Sequence, residues 1–145
     1  MRDYIPMMKI MLDDGAYAPV RAHEADAGLD LRSPIDFVIP KGGSYAVDTG
    51  FHISIPKGFY GKLESKSGLN CKHGVVSLGG TIDSGYTGSI VAKLYNFGDE
   101  EYYHVKAGDK IIQLIIMPCE YPILTLVTEL EETDRGENGF GSSGK

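Results

Sequence analysis

No apolar run in this chain approaches the roughly 20 residues needed to cross a bilayer, which excludes a helical membrane span. Residues 7–12 (MMKIML) are apolar but lack a strong basic lead-in and a small-residue cleavage pattern, so they do not read as a signal peptide. Cysteine is scarce: Cys71 and Cys119 stand alone in sequence, forming neither a CxxC metal pair nor a disulfide framework, and are expected as reduced, partly buried thiols. The four His are equally scattered. Basic residues number 14 against 20 acidic ones, a net charge of -6, which disfavours broad association with DNA, RNA or lipid head groups. A small anion remains possible if a few placed cations or a divalent metal meet its charge. There is no internal repeat and no low-complexity linker before residue 132. These absences predict a cytoplasmic protein that binds neither nucleic acid nor membrane.

The 145 residues suit one domain able to bury a core without disulfides or a structural metal. Short runs rich in Val, Ile and Tyr fill it: MMKIML, DFVIP, GSYAVDTG, FHISIP, FYGKLES, GVVSL, SIVAKLYNF, YYHV, DKIIQLIIM and ILTLV. Turn signals such as Pro-Lys-Gly, Lys-Gly-Gly and Ala-Gly-Asp separate them. The pattern predicts an all-β sandwich, jelly roll or barrel, with one helical turn or two over 67–72. Strand order is not readable.

Residues 135–145 (RGENGFGSSGK) hold too much Gly and Ser to fold unaided, since ordering Gly is entropically expensive and Phe140 alone offers apolar area. They also carry one guanidinium, Arg135, suited to phosphate, and one ring able to stack on a base. Both a nucleotide lid and a solvated tail fit that composition. GGTIDSGYTGSI (79–90) reads as a hairpin in which paired glycines let backbone approach a ligand, Asp83 lies inside the turn and Tyr86 projects from the return strand. Asp-Ser-Gly is also ordinary turn chemistry, and a Tyr there can simply pack.

Five segments together resemble the trimeric dUTPase family, which hydrolyses dUTP to dUMP and pyrophosphate. They are ADAGLDL (25–31), SKSGL (65–69), GGTIDSGYTG (79–88), AGDKIIQL (107–114) and RGENGFGSSG (135–144), in the family's order. The resemblance implies a jelly-roll-like β-domain over 1–132 and a flexible lid over 133–145. Asp83 matches the family's general base, deprotonating a water for in-line attack on the α-phosphorus. Tyr86 matches the ring beneath the deoxyribose, leaving no room for a 2'-hydroxyl. The backbone of Ser77, Gly80, Thr81 and Ile82 would read the uracil edge. Lys66, Ser67, Gly68 and Gln113 would hold the phosphates, with the motif-two donors at the start of the short helix. Arg135 would clamp the terminal phosphates, Phe140 with Gly141 would cover the base, and Ser142 and Ser143 would add donors. Asp30 would act near Mg²⁺ through water, the metal bridging phosphate oxygens and keeping most of its own waters.

Each of the smaller assignments has a structural alternative: Ser67 as a helix cap, Gln113 as a satisfier of backbone groups, Asp30 as a turn or salt-bridge residue. The chain departs from the family pattern where Ser65 and Lys66 replace Pro and Arg, Gly85 replaces a second Asp, Asn138 replaces Gly, and Ser77 stands where Asn is common. The resemblance also implies a homotrimer with sites between subunits, and a role in keeping uracil out of DNA while supplying dUMP for thymidylate synthesis. A dCTP deaminase of the same fold would carry Thr-Leu-Glu-Leu after the hairpin, where this chain has Val91-Ala92-Lys93-Leu94. A non-catalytic nucleotide-sensing module is the other alternative.

Overall fold

The computed structural model describes residues 7–139. Among them the strands are β1 (Lys9–Leu12), β2 (Gly28–Arg32), β3 (Phe37–Pro40), β4 (Ser44–Asp48), β5 (Phe51–Ser54) and β6 (Phe59–Glu64). After helix α1 (Ser67–His73) come β7 (Val75–Val76), β8 (Thr81–Ile82), β9 (Val91–Asn96), β10 (Tyr102–Val105) and β11 (Lys110–Pro118). Every strand pair is antiparallel, in small sheets ordered β1-β5, β10-β3, β2-β11-β6-β8 and β4-β9-β7. The all-β expectation holds, and the fold is the jelly-roll type.

Alternation explains why the sheets close on one core. Along β9, Ala92, Leu94 and Asn96 are buried while Val91 and Lys93 are exposed, and in β3 Phe37 and Ile39 point inward. With Leu31, Phe51, Ile53, Leu63, Ile111, Ile112 and Leu114 they form a continuous apolar cluster, consistent with side chains of period two having one buried face. Asn96 is fully buried yet satisfied: its amide nitrogen donates to the carbonyls of Ile39 (3.1 Å) and Glu100 (3.0 Å), and its oxygen accepts from Gly98 N–H (3.1 Å).

Strand β11 is irregular where it meets β2. Lys110 pairs with Arg32 but Ile112 pairs with Leu31, so Ile111 is an extra residue in the ladder. That bulge lets Ile111 and Ile112 both face the core. It also shifts the side-chain phase by one, turning Lys110 onto the face of Gln113 and Asp30, which an unbroken strand would not do.

Four sequence expectations change. GLDLR (28–32) is a strand although Gly and Asp are poor strand formers, because β11 supplies its ladder. ILTLV (123–127) forms no strand: Ile123 (95%), Leu124 (89%) and Leu126 (99%) are exposed and no strand among the described residues pairs with them. The 79–90 segment is no hairpin, since β8 pairs with β6 while β9 pairs with β4 and β7. Cys71 is exposed on α1 instead of partly buried, and Cys119 is half-buried; both are free.

Candidate active site

Motifs one, two and four meet on one face of the β2-β11-β6 sheet. Asp30 lies opposite Gln113, which lies opposite Glu64 at the end of β6. Asp30 is only 5% exposed, and its carboxylate accepts from Lys66 Nζ on one oxygen and from Lys110 Nζ (3.2 Å) on the other. Burial alone would push its pKa up, but the hydrogen bonds and charges of the two lysines hold it below the usual carboxylate range. Gln113 donates from Nε2 to the Ser65 carbonyl (3.0 Å). Its Oε1 occupies the space a Cβ at Gly28 would take, so glycine there leaves room for the Gln113 side chain in this position. Beyond Lys66, Ser67 and Gly68 are exposed in the first turn of α1; Ser67 is not the cap, since Lys66 holds that position and no side chain caps the helix. The first helical bond is Asn70 N–H to Lys66 O, so the N–H groups before it point out unspent.

The motif-three segment has a different character. Ser65 Oγ donates to the Ser77 carbonyl (2.9 Å) and accepts from Ser77 N–H (2.8 Å), pinning the start of the loop. Leu63 N–H reaches Gly80 O (2.9 Å). Gly79 and Gly80 take positive φ (91° and 153°), a path other residues follow only with strain. Ser77 is buried, and its hydroxyl is the buried side-chain oxygen without a hydrogen-bond partner among the described residues. Thr81 is exposed and Ile82 buried, as alternation requires. Asp83 follows at the strand exit, exposed, its carboxylate in no hydrogen bond or ion pair among the described residues. A turn then returns Tyr86 N–H to Asp83 O (3.1 Å), and Tyr86 Oη donates to Ser89 O (3.0 Å), leaving the ring 46% exposed.

The motif-three loop starts beside motif two, where Ser65 holds Ser77, but Asp83 and the Lys66–Ser67 donors are set apart within one chain. Register sets Thr81 opposite Lys62 and Ile82 opposite Gly61, so the chain at Asp83 passes the Tyr60 end of β6, whereas Ser65–Ser67 leave its other end. Tyr60 to Glu64 alone spans about 13 Å at ~3.3 Å per residue. Arg135 is exposed, its Nε donating to Asn138 O (3.1 Å), far in sequence from either group. Phe140, Gly141, Ser142 and Ser143 lie outside the described residues.

Sequence reasoning missed Lys110. It sits within AGDKIIQL, but only the bulge at Ile111 brings it to Asp30, and no sequence signal marks that bulge. Among the described residues no three His, Cys, Asp or Glu gather to hold a metal ion, and both Asp30 oxygens are taken by ammonium groups. Asp30 is therefore committed to the two lysines, with neither oxygen left as a direct metal ligand.

Comparison with known proteins agrees with this geometry. The dUTPase family profile matches residues 14–144. The deoxyuridine 5'-triphosphate nucleotidohydrolase of Paramecium bursaria Chlorella virus 1 is 44% identical over 133 residues, covering 92% of this chain and 94% of the viral one. That of Rhodococcus erythropolis is 38% identical over 146 residues, covering 99% and 89%. The dUTPase of Staphylococcus bacteriophage 80alpha, solved with dUPNHPP, superposes with a TM-score of 0.91 at 30% identity, over 97% of this chain and all (100%) of that one. A mutant dUTPase from phage phi11 of S. aureus (TM-score 0.81, 28% identity, covering 88% and 100%) was solved for the coordination of a structural Mg(II) ion. With five motifs in order, a profile over nearly the full length and relatives that align end to end, this chain belongs to the dUTPase family.

Proposed function

We infer that the chain is a dUTP diphosphatase, converting dUTP to dUMP and pyrophosphate by water attack on the α-phosphorus. The observation that carries this is Asp83: an exposed carboxylate, free of partners among the described residues, at the exit of a strand preceded by a glycine-paired loop. A general base needs an unspent lone pair within reach of a water, and Asp83 has one. The Ser77 N–H and carbonyl are engaged by Ser65 Oγ and its hydroxyl is buried, so the uracil edge would be read by main-chain groups of Gly80, Thr81 and Ile82. Tyr86 offers a half-open ring for the deoxyribose.

At the other end Lys66 and Lys110 share one carboxylate, leaving a net positive charge beside the exposed hydroxyl and amides of Ser67 and Gly68. That is a phosphate site by charge and donor count. Gln113 holds Ser65 and hence the start of that segment, and Asp30 acts by fixing both ammonium groups. Mg²⁺ would be held by the triphosphate, with Asp30 near it only through water, and would neutralise phosphate charge. Arg135 and the residues after it, Phe140, Gly141 and Ser142, would close over the nucleotide.

A homotrimer with sites between subunits is part of the same reading. The Asp83 side and the Lys66 side sit at opposite ends of β6, so one chain's base must work against another chain's phosphate donors. The exposed run through Ile123, Leu124, Leu126 and Leu130 is apolar area suited to a neighbouring subunit. We place this activity in the cytoplasm, where it would limit uracil incorporation into DNA and supply dUMP for thymidylate synthesis.

Pyrophosphate release from dUTP, dCTP and dTTP with Mg²⁺ tests the reading. Release from dUTP alone is expected. Ammonia from dCTP would instead mark a deaminase, although Lys93 stands exposed on β9, its Nζ 5.4 Å from the Tyr95 ring centroid, where that enzyme carries an acid. No product from any nucleotide would mark a binding module.

A further inference from the structure

The step of backbone beneath Tyr86 is held from both sides by groups that the reaction does not itself use. His52, on β5, directs Nδ1 at the Thr87 carbonyl (2.8 Å) and Nε2 at the carboxylate of Asp13 (3.1 and 3.2 Å). Asp13 follows β1, whose Met11 pairs with His52, and its own N–H is anchored to Gly50 O (2.9 Å). Two residues past Thr87, Ser89 Oγ donates to Asp48, which also accepts the Gly50 N–H (2.9 Å). Between these two anchors lies Gly88, where a Cβ would run into the Tyr86 ring. The ring is therefore seated on a peptide step fixed at Thr87 and at Ser89, with its hydroxyl donated to Ser89 O.

We propose that His52 is a positioning residue for Tyr86: with Asp13 it holds Thr87, while Asp48 holds Ser89, and this brace sets discrimination between deoxyribo- and ribonucleotides and slackens when His52 loses its proton. The proposal rests on the reading of Tyr86 as the ring beneath the sugar. Its proton requirement follows from geometry. A carbonyl and a carboxylate can only accept, so both imidazole nitrogens donate only in the imidazolium form, and the neutral ring keeps one bond at most. In agreement, the Thr87 carbonyl first and Asp13 next raise the His52 pKa above its ordinary 6.5, with Asp48 adding to them. Desolvation of the ring opposes protonation and is outweighed, and Lys9, opposite Ser54, is the cation lining the same recess as His52. The segment from Thr87 to Ser89 contributes no titratable group.

The test is the ratio of kcat/KM for dUTP over UTP, followed from pH 6 to pH 9 in the full chain, with Tyr86→Ala as reference. In the wild type the ratio should fall roughly tenfold as pH rises through the His52 transition, the scale of one charged hydrogen bond partly lost. His52→Gln should be flat across the range and lie at the low end. Asp13→Asn should move the transition to lower pH, a displacement that simple loss of packing does not produce, and it carries the test should His52→Gln not fold. A His52→Gln chain with wild-type discrimination and wild-type pH dependence overturns the proposal. If Tyr86→Ala leaves the ratio unchanged, the sugar-reading role of Tyr86 fails first. The brace is then judged by NMR: Gly88 and Ser89 amide signals that titrate together with the His52 ring sustain it, and amides that ignore the ring overturn it.

Discussion

Asp30 and Asp83 are both carboxylates at motif positions, yet Asp30 is 5% exposed and held by two lysines while Asp83 is exposed and held by none. At the phosphate end the side chains of Asp30, Lys66, Lys110 and Gln113 are thus engaged with protein before any ligand arrives, and the strand carrying Lys110 has already absorbed its bulge. At the reacting end the exposed Asp83 carboxylate keeps its hydrogen-bonding capacity among the described residues. Groups that must only attract a charge can be satisfied in advance by one another. A group that must take a proton has to stay uncommitted, and solvent exposure makes that inexpensive.

Breaking the reacting end should have the larger effect. Asp83→Asn keeps the shape but cannot accept a proton, so kcat should drop by about 10³ while nucleotide affinity persists. Single-turnover assays and equilibrium binding check this together, and retained turnover removes Asp83 as the base. Removing residues 135–145 should lower kcat/KM by roughly 10², the scale of lost positioning, with the oligomer unchanged by light scattering. Dissociation into monomers would make that segment structural.

Removing the anion that pairs the two lysines of the phosphate end should read out mainly in stability. Asp30→Asn leaves Lys66 and Lys110 without their anion, costing about 1–3 kcal/mol in denaturant unfolding. Because the Asp30 pKa is lowered from 3.8, its contribution is complete above that value and disappears as pH falls through the lower folded one. Acid unfolding of Asp30→Asn should accordingly be less steep than that of the wild type. His52 has the opposite sign: its raised pKa gives a contribution present below 6.5 and lost as pH rises through the folded value. The two regions should therefore loosen at opposite ends of the pH range, and a common acid-side transition would contradict that assignment.

Much of the architecture was legible because burial leaves a period-two trace, as in Val91-Ala92-Lys93-Leu94, and the motifs carry their own chemistry. What stayed hidden depends on pairing between distant segments. Nothing local says that Thr81–Ile82 docks on β6 and not on β9, so the apparent hairpin dissolved. Lys110 joins Asp30 only through the irregular ladder at Ile111, and His52 reaches Thr87 only because β5 runs beside that loop. The ILTLV run misled for a related reason: its pattern is that of a strand, but Ile123, Leu124 and Leu126 stay exposed and pair with no strand among the described residues.

The claim on which the account turns is that Asp83 and the Lys66–Ser67 donors of one working site come from different subunits. Co-refolding equal amounts of Asp83→Asn and a doubly substituted Lys66→Ala/Ser67→Ala chain, each inactive alone, tests it directly. Random mixing should restore about a quarter of wild-type dUTP hydrolysis, because that share of sites inherits an intact group from each side. Mixed oligomers that remain as inactive as either parent would show both groups working from the same chain and contradict the account.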